Sequence, residues 1–275
     1  MKAAKIYDQK LLWYVYTFLD YDKVWKSKES FTKDLLKNIH ETNVWYAGFA
    51  KKQYLKCFLE DYIFFNHDHK SYPKLELSKI ELLDICAYSI KKCQKELPSY
   101  PVRIYIFPSF NEFHLNKMDG VAWFSAWKNS IILFVHPEKK NPKNAIINTI
   151  CHEYNHAVAQ NYHSFGKILN NIIFEWYAEN FREYLAWWEQ APWTIAVSKS
   201  ECKKYIKELK PKLNSKSYKL SQDIMFGTWK YPLWLGYSLG YHIVKEFIQK
   251  YPNRPWWEIV KIKPQEILKL SEFDN

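Results

Sequence analysis

Glycine is scarce in this chain, 6 among 275 residues, and methionine occurs only 3 times. So little glycine argues against a flexible glycine-rich polymer and leaves few positions where the backbone enters the left-handed region at no cost. No window holds 18 consecutive apolar residues, so no membrane span is expected. The apolar run from Leu11 to Leu19 is broken by Thr17, is followed by Asp20 and Asp22, and lacks a small-residue cleavage site, so it does not read as a signal peptide. Five cysteines (Cys57, Cys86, Cys93, Cys151 and Cys202) form no C-x-x-C pair and are odd in number. That argues against a disulfide framework and for a reducing compartment, with the cytoplasm as the expected location. Internal repeats and low-complexity tracts are also missing.

What the chain does have is bulk. Hydrophobic residues make up 48% and aromatics 19%, with 13 Trp, 21 Tyr and 17 Phe, enough for a large packed core. The net charge is +11. Such a balance attracts nucleic acid, anionic lipid or acidic substrates, yet the lysines lie along the chain in short pairs, as solvated helix faces do. Their densest stretch is Cys202 to Lys219, where Lys203, Lys204, Lys207, Lys210, Lys212, Lys216 and Lys219 interleave with Tyr205, Ile206 and Leu209. It supports an alternative reading as a basic nucleic-acid-binding module, although nucleic acid is not the expected partner.

The periodicity changes along the chain. Residues 1–98 read as a helical, aromatic-rich portion, with Trp45, Phe49, Leu55, Phe58 and Ile63 at helical spacing. His67 to His69 reads as an exposed polar loop. Ser78 and Glu81 make a capping box for a helix that Pro98 and Pro101 cannot extend. Residues 99–190 read as the core. Val102, Ile104 and Ile106 alternate with polar or amphipathic neighbours, as in a half-buried strand. Val121 to Trp127 and the continuous apolar run Ile131 to Val135 form a hairpin whose second strand lies inside the sheet and whose first lies nearer an edge. Asn141 as N-cap and Pro142 at the first helical position open the next helix, and Gly166 marks the turn to another, from about Lys167 to Trp188. Residues 191–275 again read as helical, with Ser215 to Lys219 the most linker-like segment. The expectation is one α+β domain spanning residues 1–275.

The chemistry centres on His152-Glu153-Tyr154-Asn155-His156. On a helix, residues i and i+4 leave one face, so both imidazoles converge while Glu153 sits one step round. That pattern suits a zinc ion with a carboxylate beside its bound water. Glu175 lies 19 residues after His156, on a helix across the Gly166 turn, and completes three protein ligands. It is embedded in Ile172-Ile173-Phe174-Glu175-Trp176-Tyr177-Ala178, where a carboxylate without a cation is costly to bury. Glu179, one turn on, is placed to accept a hydrogen bond from a ligand imidazole. For an oxyanion donor the candidates are Tyr241 and Tyr237, one turn apart, with Gly236 and Gly240 letting their helix approach a neighbour closely. Two core tyrosines would look the same in sequence.

His152-Glu153-x-x-His156 followed by Glu175-Trp176-Tyr177-Ala178-Glu179 resembles the gluzincin pattern of thermolysin-like peptidases. More narrowly, it is similar to the YjaZ-like family of predicted bacterial zinc-dependent proteases, whose E-G-L-A-E motif stands here as Glu-Trp-Tyr-Ala-Glu. Asp119 to Pro137 resembles that family's strand pair, and Gly236 to Tyr241 its G-Y-x-x-G-Y block. Trp176, where the family favours glycine, is a departure expected to narrow the pocket. The resemblance implies a mainly helical zincin-like fold with a small mixed sheet packed on the H-E-x-x-H helix. It implies one zinc ion per chain held by His152, His156 and Glu175, with Glu153 as general base and Glu179 supporting a ligand. It also implies a peptide or protein substrate paired along Val121, Ala122, Trp123 and Phe124 as an added strand. An inactive zinc-bound scaffold is a further alternative.

Overall fold

In a computed structural model of the protein, residues 4–8, 13–17, 29, 33, 52–64, 75–98, 101–127, 130–186 and 191–274 are described. The class is α+β, mostly helical with a mixed sheet. By its contacts the chain divides into two compact units, residues 1–95 with 99–157, and residues 96–98 with 158–275.

The first unit holds a five-stranded sheet in the order β1-β2-β3-β5-β4: β1 (Ala4–Asp8), β2 (Trp13–Thr17), β3 (Val102–Pro108), β4 (Val121–Trp127) and β5 (Ser130–Val135). β2 and β5 both run parallel to β3, whereas β1 and β4 pair antiparallel with their neighbours. A strand flanked on both sides and covered on both faces must be apolar throughout, and every residue of β5 is buried. The hairpin therefore sits as its composition requires, with β5 inside and β4 at the edge. The N-terminal strands correct the expectation of an all-helical portion before residue 98. Trp13-Tyr14-Val15-Tyr16-Thr17 is rich in aromatic and β-branched residues, which suit a strand only when a partner supplies the ladder. The partners are β1 just before it and β3, nearly ninety residues away, with Trp13 opposite Asp8 and Val102. The polar segment His67 to His69 lies outside the described residues.

Before the H-E-x-x-H segment the described residues of this unit include α1 (Lys52–Phe64), α2 (Lys79–Glu96) and α3 (Glu112–Lys117). The Ser78 box opens α2 as expected, Glu81 accepting from the Ser78 N–H (2.9 Å) and Ser78 Oγ from the Glu81 N–H (3.2 Å). Cys86 and Cys93 lie wholly buried along one face of α2. Helix α4 (Lys143–Ala159) carries the motif. Asn141 is not its cap. It takes a left-handed φ of 51°, and the first carbonyl to accept a helical bond is that of Pro142, from the Ile146 N–H. From Ile150 to Ala159 every residue of α4 is buried, so this stretch is a core helix without a wet face.

The second unit is helical: α5 (Ile168–Ala186), α6 (Lys199–Leu209), α7 (Tyr218–Phe226), α8 (Leu235–Lys250), α9 (Trp256–Ile259) and α10 (Pro264–Leu270). Helix α8 packs on α5 through Gly240. A Cβ built there would stand 1.4 Å from Trp176 Cδ1 and 2.4 Å from the Ile172 carbonyl oxygen, so only glycine admits this approach. The Trp176 indole fills the space and donates to the Gly236 carbonyl (3.2 Å). Trp176 is therefore wholly buried between two helices, which accounts for a large ring at a position where the resemblance suggested a narrowed pocket. The linker-like Ser215 to Lys219 also resolves into structure, because Ser217 caps α7 by accepting from the Leu220 N–H.

Candidate metal centre

Helix α4 turns His152 and His156 to one face, where their Nε2 atoms stand 3.1 Å apart and their rings meet edge to face. Two nitrogens bound to one tetrahedral zinc at about 2.0–2.1 Å would stand roughly 3.3 Å apart, so the pair is already set at the spacing a shared cation imposes. Both rings are 3% exposed. Without a cation, two buried acceptor nitrogens at this distance repel unless one carries a proton for the other. The donor pair thus fits zinc.

Glu153 is completely buried, its Oε1 3.8 Å from His152 Nε2, one step round the helix from the ligand face. The edge strand β4 brings Trp123 to the same place, its ring centroid 5.7 Å from that of His152. Val121 and Ala122 are fully buried, whereas Trp123 is half-buried and the outer main-chain edge of β4 pairs with no other described strand. Of Phe124 the structure describes the backbone, within β4.

In the second unit, α5 holds Glu175 half-buried between the buried Phe174 and Trp176. Glu179, a turn later, is 1% exposed and accepts two bonds through Oε1, from Arg182 Nε (2.8 Å) and Nη2 (2.6 Å). A carboxylate this deep requires such a charge-assisted pair. Tyr241 is also buried. Its hydroxyl donates to Glu183 Oε2 (3.2 Å) and accepts from the Lys245 ammonium, which lies over its ring. Burial holds the Glu183 carboxyl above its ordinary value, partly offset by the charges of Lys245 and Arg182. Tyr237 is half-buried, with ring contacts to Trp176 and Phe226. Arg182, Glu183 and Lys245 had not been singled out in the sequence. The spacings that join them to their partners, i,i+3 for Glu179–Arg182 and i,i+4 for Tyr241–Lys245, were nevertheless there to be read.

Among the other described histidines, His163, His114 and His136 make contacts of their own. His163 Nε2 lies 2.7 Å from the Val260 carbonyl, and burial lowers its pKa. His114 contacts Ser109 Oγ at 2.7 Å, and burial, with the neighbouring His136, depresses it to about 4. His136 lies with Glu112 and Glu138 in a second donor group, but both acids are exposed and its Nδ1 already accepts the Glu138 N–H (3.3 Å). The ring proton then sits on Nε2, the wrong tautomer for a ligand there.

The family model described as Predicted Zn-dependent protease (DUF2268) matches residues 82–269, more than half of the chain. No curated protein matches the chain, and no solved structure does.

Proposed function

We propose that this chain, which belongs to the predicted Zn-dependent protease family, is a zinc-dependent peptidase of gluzincin type with a zincin-like fold. The observation that carries the proposal is the convergence of His152 and His156 Nε2 at 3.1 Å beside a wholly buried Glu153. We assign His152, His156 and Glu175 as the ligands, two imidazoles and a carboxylate with a position left for water. When bound, zinc supplies a water of lowered pKa and polarises the scissile carbonyl.

The chain's own residues do the rest. Glu153 takes the proton from the attacking water and delivers it to the departing amine nitrogen. The open edge of β4 holds an extended peptide by main-chain pairing, with Trp123 against it. Glu179, fixed by Arg182, supports the ligand set, and a tyrosine hydroxyl serves the developing oxyanion. Tyr241 and Tyr237 are the candidates, the Tyr241 hydroxyl lying in contact with Glu183 and Lys245. Four of the seven lysines between Cys202 and Lys219 are engaged by acids (Lys203, Lys210, Lys212 and Lys219), so the stretch does not present a continuous basic strip to nucleic acid.

The test is the Glu153→Gln variant. Purified protein is expected to carry one zinc per chain and to cleave a peptide library in a chelator-sensitive way. The variant should keep the metal and lose activity by at least ~10²-fold. A variant as active as the parent removes Glu153 from the base role. Zinc-loaded parent that cleaves nothing points to a scaffold.

A further inference from the structure

A bare tryptophan marks the turn between α7 and α8. Trp229 is 97% exposed, and the neighbouring Phe226 and Leu233 are 51% and 55% exposed. The turn is built to keep it there. The Thr228 N–H donates to the Tyr231 carbonyl, while Thr228 Oγ1 accepts from the N–H groups of Lys230 and Tyr231. Gly227 has a φ of +80° and abuts Leu233, at 2.7 Å from an added Cβ to Leu233 Cα, so no other residue closes the loop comfortably. Tyr231 seats the turn on α6, ring to ring with Tyr205 and with its hydroxyl 3.4 Å from Glu208. An indole held out by a rigid turn is not a core residue that failed to bury.

The stretch of chain that carries it is one-sided in charge. Between Lys199 and Leu233, nine lysines face three acids (Glu201, Glu208 and Asp223), a net +6 out of the chain's +11. Glu246, Glu272 and Asp274 answer Lys199, Lys203 and Lys210, which leaves +3. At the turn itself Glu208 stands opposite Lys230 (2.9 Å) and Lys212 (3.9 Å), with Lys204 one helical turn before it.

We propose that the Phe226–Leu233 turn is a docking point for an anionic lipid surface. Exposed aromatic and aliphatic side chains in a lysine-rich stretch of chain supply the two signals a peripheral protein needs, apolar insertion and attraction to acidic headgroups. Tryptophan settles at the headgroup boundary, where its ring is apolar and its N–H stays wet. Leu233 favours lipid over nucleic acid, since an aliphatic side chain gives a base nothing to stack on. A second copy of the chain is disfavoured because the same positive face would meet itself. The inference does not depend on the peptidase reading, and its readout is binding.

The experiment is co-sedimentation of the full chain with phosphatidylcholine vesicles, with and without phosphatidylglycerol. The parent should pellet with the phosphatidylglycerol vesicles alone, release as salt rises, and lose roughly tenfold or more of its affinity in Trp229→Ala. Lys230→Glu should weaken binding and flatten its salt dependence. Both side chains are exposed, so an unchanged unfolding midpoint is expected and separates lost docking from lost fold. Failure of the parent to bind these vesicles overturns the proposal, as does a Trp229→Ala variant that pellets like the parent. So does a turn that instead carries single-stranded DNA binding or concentration-dependent dimerisation abolished by Trp229→Ala.

Discussion

Replacing Gly240 by alanine adds one methyl group, and the structure says what that methyl meets. The new Cβ would lie 1.4 Å from Trp176 Cδ1, 2.0 Å from Trp176 Nε1 and 2.4 Å from the Ile172 carbonyl oxygen. Ordinary carbon contacts begin near 3.5 Å, so the atoms must part by about 2 Å. The indole has nowhere to go, being wholly buried and tied to the Gly236 carbonyl. Helices α5 and α8 must therefore separate, at or beyond the upper end of the ~1–3 kcal/mol typical of overpacking. In a chain of this size each kcal/mol lowers the melting temperature by roughly 2–4 °C, so a fall of about 6–12 °C is expected. Thermal and urea unfolding of parent and variant provide the measurement. Gly166→Ala serves as a control, because nothing lies within 4 Å of its added Cβ and only the φ of +115° opposes it, at about 1 kcal/mol. A Gly240→Ala variant as stable as the parent, or no worse than Gly166→Ala, refutes the packing argument.

Three further outcomes follow from the polar groups. Arg182→Ala withdraws both bonds donated to a carboxylate that is 1% exposed and should cost about 3–5 kcal/mol in urea unfolding, with Arg182→Lys intermediate. Glu183 has a folded pKa raised by burial, so the folded chain holds that proton more tightly than the unfolded one and loses stability as pH climbs from about 4.5 through the raised value. Glu183→Gln should thus be stabilised relative to the parent at pH 7.5 but not at pH 4, and the reverse order would show that the Lys245 pairing outweighs burial. If His156 is a zinc ligand, zinc at about a thousandfold its Kd should stabilise the parent by about 4 kcal/mol, and neither His156→Ala nor chelator-treated protein should show that gain in a melting scan.

Where the chemistry is local, the chain could be read directly. The i,i+4 spacing of His152 and His156 needs only a helix to bring their nitrogens together, and 17 residues without proline between Lys143 and Ala159 supply it. The Ser78–Glu81 box and the hairpin order likewise follow from neighbours in sequence. Family membership was legible for the same reason, since the motif and the acidic pair that follow one another along the chain carry it. The N-terminal strands were not legible. Trp13 to Thr17 pairs with its neighbour β1 on one side and with β3 on the other, and no local pattern announces the second partner, so far along the chain.

The sequence by itself determined which side chains of α4 share a face, which strand of the hairpin is wholly apolar, and which glycines must meet a neighbour. Only the tertiary structure decided that Trp176 is the group lodged over Gly240, that Tyr241 spends its hydroxyl on Glu183 and Lys245, and that Trp229 is held out in water. The division is physical. Helical and pleated periodicities orient side chains within an element, whereas burial and partner choice are set by packing between elements, through contacts whose sequence separation carries no signature.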